Sequence, residues 1–219
     1  AGGARDHRDA ARTGGGRTRR FRGAAAAPET RDSLKTAVAN IAIDAALRAR
    51  LAAHVRDVPD FPRPGVLFKD ITPLLADASA FRECVDALAA PWREQGIAAI
   101  CGIEARGFIF GAAVARALDA GFVPLRKPGK LPAATLGADF ELEYGRARLE
   151  VHLDALAPGA RVLIIDDVLA TGGTLAAARQ LVELLDADVA GAAVLAELAF
   201  LHGRTHWAAD VPLHSLLCY

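Results

Sequence analysis

The sequence predicts an α/β fold, a mainly parallel central sheet flanked by helices, and three observations carry that expectation. Apolar runs short enough for strands alternate with segments of helical spacing. Ile97 to Ile103 is apolar almost throughout, as a strand buried on both faces is. The polar motifs come at the ends of such runs, and ligands of parallel sheets sit at the carboxyl ends of the strands.

Leu34 to about Val55 has apolar residues at helical spacing and predicts one or two helices. Pro59, Pro62, Pro64 and Gly65 then break the chain. Ala78 to about Gln95 predicts a helix, because Phe81, Val85, Leu88 and Trp92 recur at three- and four-residue steps. Ile97 to Ile103 predicts a buried strand, Gly107 to Leu118 a helix and Gly121 to Leu125 a second strand. Residues 128–145 are rich in Pro and Gly and show little periodicity, so they predict a long loop. Arg148 to Leu153 alternates as a half-buried strand does, Arg161 to Ile165 predicts a strand, Leu175 to Leu185 a helix and Val189 to Leu195 a strand. No internal repeat is present.

Residues 1–32 differ from the rest of the chain. They hold eight Arg, the run Gly14 to Gly16, the run Ala24 to Ala27 and one large apolar residue, Phe21. Such a segment buries too little apolar surface to offset its ordering entropy, and it reads as a disordered tail. A targeting segment is a second reading, weakened by Asp6, Asp9, Glu29 and Asp32, and a start placed too far upstream is a third. Residues 33–219 read as a single domain.

The 219 residues carry 26 basic and 26 acidic side chains, so no global field draws the chain to nucleic acid or to a membrane surface. No apolar run reaches the ~18 residues that span a bilayer. Cys84, Cys101 and Cys218 are odd in number and widely spaced, which suggests neither a disulfide framework nor a zinc site and points to a reducing, cytoplasmic setting.

The strongest local signal runs from Val162 to Thr174. An apolar strand ends in Asp166 and Asp167, the small-residue loop Ala170-Thr171-Gly172-Gly173-Thr174 comes next, and a helix begins. Glycines let backbone N–H groups approach a phosphate, and a helix N-terminus adds about half a positive charge. Carboxylates repel phosphate but suit hydroxyls, so the motif reads as ribose beside phosphate. The bland alternative is a solvated strand end with Thr174 as a helix cap.

These residues resemble the 5-phosphoribosyl-1-pyrophosphate (PRPP) signature of the type I phosphoribosyltransferases. The resemblance implies that family's fold, with a small N-terminal cap and a flexible active-site loop. It also implies that Asp166 and Asp167 hold the ribose hydroxyls and that Ala170, Thr171, Gly172, Gly173 and Thr174 hold the 5-phosphate. PRPP synthetases and some regulators carry versions of the same signature.

Four further segments extend the resemblance from about Val58 to Tyr219 and direct it toward the adenine phosphoribosyltransferases. Phe61 to Leu75 is similar to that family's cap, about residues 58–76, in which Phe68 would pack on the purine and the Leu67 backbone would pair with its amino edge. Taken alone, Phe68 is equally a core residue. Gly102 to Gly111 resembles the loop that meets pyrophosphate and base. There Arg106 would lie against the purine, and a strained Glu104–Ala105 peptide would offer backbone N–H to pyrophosphate. Arg126, Lys127 and Lys130 are three cations within five residues, natural partners for a polyanion or else a solvated charge run. Leu142 to Gly145 ends the long loop, which in the family folds over the substrates and excludes water. By resemblance Glu143 lies near the base and acts in proton transfer at its N7, beside Tyr144. Lys69 stands where Arg is also common in the family.

The resemblance thus implies transfer of the phosphoribosyl group of PRPP to adenine, giving AMP and pyrophosphate. Magnesium would arrive with PRPP, bridging pyrophosphate and ribose with few direct protein ligands. N9 of adenine would attack as pyrophosphate leaves, with Glu143 or the Ala170 carbonyl serving the purine's proton. A homodimer is implied, and neither nucleic acid nor membrane is expected as a partner. Three alternatives stay open: another purine base, a PRPP-sensing transcriptional regulator and a binding-only protein. No helix-turn-helix pattern precedes Pro59, which weakens the regulator.

Overall fold

The computed structural model describes residues 44–142 and 145–219. The expected tail, residues 1–32, and the first part of the expected N-terminal helical segment lie outside the described residues, as do Glu143 and Tyr144.

Helix α1 (Ala45–Ala53) opens the described chain, with the Asp44 carboxylate accepting from Ala46 N at 3.1 Å. An antiparallel hairpin comes next, β1 (Arg56–Pro59) and β2 (Leu67–Asp70), with Val58 opposite Phe68. The proline-rich stretch expected only to break the chain is the turn of this hairpin. Asp70 leads into α2 (Thr72–Ala76): its carboxylate accepts from Thr72 N at 2.9 Å and pairs with Arg56. These bonds, the Thr72 N–H first and Arg56 next, hold the Asp70 pKa down at about 2.

Helix α3 (Ala78–Ala89) is capped by Asp77, which accepts from Ser79 N and Ala80 N. The helix stops short of the expected Gln95. Pro91 has no N–H to continue the ladder, and the chain tightens into a 3₁₀ turn, Ala90–Trp92, that buries Trp92.

Five parallel strands form the central sheet among the described residues. They are β3 (Ala99–Ile103), β4 (Gly121–Leu125), β7 (Arg161–Leu169), β8 (Asp188–Glu197) and β9 (Leu213–Cys218), ordered β4-β3-β7-β8-β9. Helix α4 (Gly107–Leu118) joins β3 to β4, and α5 (Gly173–Leu184) joins β7 to β8. Alternate residues of β7 serve different faces. Leu163 and Ile165 pack with Phe110, Val114 and Leu88, whereas Val162 and Ile164 pack with Leu175, Leu181 and Val151.

Two further expectations are corrected. Strand β7 does not end at Ile165. It runs through both acids to Leu169, with Asp166 opposite Val194 and Leu169 opposite Glu197, because β8 continues to satisfy its backbone. Residues 128–145 are not a structureless loop. They include β5 (Thr135–Leu142), which pairs antiparallel with β6 (Gly145–His152). The ribbon forms because Ala138, Leu149 and Val151 are buried, with Leu136 and Phe140 packed beside them over α5. Trp207 is buried in the core, its Nε1 donating to the Val211 carbonyl at 2.9 Å, whereas Phe200 is exposed.

Candidate active site

The carboxyl ends of β3, β4 and β7 bring the polar motifs to one edge of the sheet. Strand β3 delivers Glu104, Ala105 and Arg106, β4 delivers Arg126 and Lys127, and β7 delivers Asp166 and Asp167.

Asp166 and Asp167 are 9% and 5% exposed, deep burial for adjacent carboxyls. Asp167 N donates to Asp166 Oδ1 at 2.8 Å. Burial first, and then the neighbouring Asp167 charge, push the Asp166 carboxyl well above the usual carboxylate range. Burial also raises Asp167, with the nearby Arg106 opposing it. Arg106 Nε lies 2.8 Å from Asp167 Oδ2, a charge contact without the alignment of a hydrogen bond, and Oδ2 is otherwise unpartnered. Gly107 makes room for this pair. A Cβ there would come within 2.9 Å of both Asp166 Oδ1 and the Ile165 carbonyl oxygen.

The Arg106 guanidinium also faces Phe68, with 5.1 Å from its carbon to the ring centroid. Phe68 in turn meets Phe61 edge-on at 5.1 Å. The hairpin therefore sets one aromatic ring against the same arginine that touches the buried acids. Leu67, beside Phe68, is 47% exposed, so this end of the hairpin is open to solvent.

The other candidate residues gather around Glu104. Its Oε2 accepts from Arg126 Nε at 3.2 Å and from Lys127 N at 3.0 Å. Burial opposes the charge on Glu104, but the Lys127 N–H and Arg126 outweigh it and hold its pKa below the usual value. Arg126 Nη1 donates to the Lys130 carbonyl at 2.9 Å, which folds residues 126–130 into one turn. The Glu104–Ala105 peptide is cis.

The phosphate-like loop comes after β7. Gly172 has φ +87°, a conformation that favours glycine, and Gly173 begins α5. A cleft of about 540 Å³ lies between this loop and the ribbon, lined by Glu104, Lys127, Asp139, Phe140, Arg148 and Thr174 among others. Asp139 and Arg148 pair across the ribbon at 2.9 Å. Sequence reasoning missed both, because their strands were hidden among glycines and prolines. Gly137, opposite Glu150, leaves the room that the Arg148 guanidinium fills.

Thus Phe68, Arg106, Asp166 and Asp167 form one contact chain, and Glu104, Arg126, Lys127 and Lys130 form a second. The Glu104-Ala105-Arg106 backbone joins them. Among the described residues, no cluster of three or more His, Cys, Asp or Glu side chains is spaced to hold a metal, and no helix is long and apolar enough to cross a membrane.

Comparison with known proteins gives consistent results. Residues 75–211 match the phosphoribosyl transferase domain family. The chain is 57% identical over 171 residues to the adenine phosphoribosyltransferase of Xanthomonas campestris pv. campestris (strain 8004), covering 78% of the chain and 92% of that protein. It is 56% identical over 170 residues to that of Nitrosococcus oceani, covering 78% and 99%. The crystal structure of adenine phosphoribosyltransferase from Rhodothermus marinus superposes with a TM-score of 0.77 at 50% identity, over 80% of the chain and all of that one. The Saccharomyces cerevisiae enzyme was solved with D-2,5-dideoxy-2,5-imino-altritol 1,6-bisphosphate and adenine. It superposes with a TM-score of 0.75 at 40% identity, over 79% of the chain and 99% of that one.

Proposed function

Since the chain belongs to the adenine phosphoribosyltransferases, we propose that the carboxyl edge of its sheet is the active site, with the ribose phosphate of PRPP on Asp166, Asp167 and residues 170–174. The enzyme transfers the phosphoribosyl group of PRPP to adenine, giving AMP and pyrophosphate.

The observation that carries the assignment of residues is the contact of Arg106 with both Phe68 and Asp167. It joins an aromatic base platform to the ribose-binding acids across one side chain. In this reading the base stacks on Phe68 and its amino edge meets the Leu67 backbone. Asp166 and Asp167 accept hydrogen bonds from the ribose 2- and 3-hydroxyls. The loop amides of residues 170–174 and the Thr171 and Thr174 hydroxyls donate to the 5-phosphate. Arg126, Lys127 and Lys130, with backbone N–H at Glu104–Ala105, stabilise the pyrophosphate as it leaves. Glu143 serves the proton on the purine. The β5–β6 ribbon closes over the substrates, and residues 58–76 cap the base.

The two buried carboxyls are hard oxygen donors of the kind magnesium takes, and their mutual repulsion is the condition a cation relieves. They would hold magnesium through the ribose hydroxyls, and the ion would supply charge neutralisation on the pyrophosphate. A homodimer and a cytoplasmic setting belong to the same proposal. The exposed apolar Ile109 and Phe122 support the first, and the unpaired Cys84, Cys101 and Cys218 the second.

The test is product formation from PRPP, magnesium and each of adenine, hypoxanthine, guanine and xanthine. AMP from adenine alone is expected. Nucleotide from an oxopurine instead would overturn the reading of the cap.

A further inference from the structure

The loop of residues 170–174 is backed by a segment that the reaction scheme leaves unused. Its reverse side lies on the 3₁₀ turn Gly203–His206. A Cβ on Gly172 would collide with the Gly203 carbonyl oxygen and sit 3.1 Å from His206 Cβ. A Cβ on Gly203 would collide with the Ala170 carbonyl oxygen and come within 2.9 Å of Gly172 N. Two glycines thus press backbone against backbone, so a displacement of Gly203 is transmitted to the loop without any side chain to absorb it.

Gly203 is held by its neighbour. Arg204 makes a two-pronged bond to Glu197, Nε to Oε1 at 3.0 Å and Nη2 to Oε2 at 2.5 Å. Its Nη1 donates to the Leu213 carbonyl at 3.0 Å, and Nη2 reaches Ser215 Oγ at 3.3 Å. Ser215 Oγ also donates to Glu197 Oε2 at 2.9 Å. Glu197 is buried at the end of β8, opposite Leu169, the residue that precedes the loop. One guanidinium therefore ties the 3₁₀ turn to β8 and β9 in a planar fork that lysine does not reproduce.

We propose that Arg204, fixed by Glu197 and Ser215, is a positioning residue that sets the backbone donors of residues 170–174 for the 5-phosphate of PRPP. The inference rests on the reading of that loop as the phosphate site. A positioning role acts on the affinity for the phosphate and leaves the chemical step nearly unchanged, whereas a role in stability alone moves neither constant in the folded protein.

Steady-state kinetics and equilibrium binding of ribose 5-phosphate test it. Arg204→Gln is expected to raise the PRPP KM and the ribose 5-phosphate Kd about tenfold, with kcat and the adenine KM within about threefold. Arg204→Lys is expected to recover part of the loss. Should Arg204→Gln not fold, Ser215→Ala removes one hydroxyl from the same cluster and is expected to weaken ribose 5-phosphate binding about threefold. An unchanged Kd in Ser215→Ala and in any folded Arg204→Gln protein overturns the proposal, as does a fall in kcat with the PRPP KM unmoved. Thr171→Ala separates the two readings. If it leaves ribose 5-phosphate binding intact, the loop is not the phosphate site and the inference falls with it. If it weakens binding and Arg204→Gln does not, only the positioning role is wrong.

Discussion

Asp166 and Asp167 are adjacent, buried and mutually repelling, an arrangement that costs the unliganded protein stability. A carboxyl whose folded pKa is raised contributes stability that is present below the unfolded value and is lost as pH rises through the folded one. Above the folded pKa that contribution is gone. Asp166→Asn is therefore expected to raise the thermal midpoint by a few degrees, about 1 kcal/mol, while weakening PRPP binding at least tenfold. Calorimetry and PRPP titration on one preparation check both; a lower midpoint would contradict the burial argument. For Glu143, loss of a general acid or base is expected to cost ~10²–10⁴-fold in kcat. An unchanged turnover in Glu143→Ala would remove it from the mechanism. The acids and the loop were legible as a motif because strand, acids and small residues are contiguous. Gly107 and Gly203 were not assignable, because their role is a close approach to residues remote in sequence, which only the fold creates. Asp139 and Arg148 were missed for the same reason: their pairing exists only once the ribbon is formed.

At the scale of elements, helices α4 and α5 and strands β3, β4 and β8 were legible, since each carries a run of apolar residues bounded by small or polar ones. The ribbon was hidden. Leu136, Ala138 and Phe140 alternate, but Gly137 and the surrounding prolines and glycines masked the period. Hairpin β1–β2 was hidden because each strand has four residues and little buried area. In the proposed site it contributes one ring. Phe68→Ala is expected to raise the adenine KM about threefold to tenfold, the worth of an aromatic contact, with the PRPP KM little changed. Kinetics with each substrate varied in turn checks this, and equal changes in both constants would place Phe68 in the scaffold instead.

For the molecule as a whole, alternation of strands and helices was enough to give the α/β class. Strand order was not readable, because the partners of β7 are set by crossover packing and not by any local pattern. The sheet divides the core into two layers, and Phe110 is fully buried in one of them beside Val114 and Leu163. Phe110→Ala is expected to cost about 3–5 kcal/mol of stability, measured by denaturant unfolding, without altering which base is used. A protein of unchanged stability would show that this layer is not the core. A crystal structure of the protein with AMP tests whether ribose, phosphate and base sit along β7, its loop and the cap. Ribose hydroxyls on Asp166 and Asp167, the phosphate among residues 170–174 and adenine on Phe68 are expected. Phosphate held instead by Arg126, Lys127 and Lys130, with the 170–174 loop making no contact, would contradict this placement.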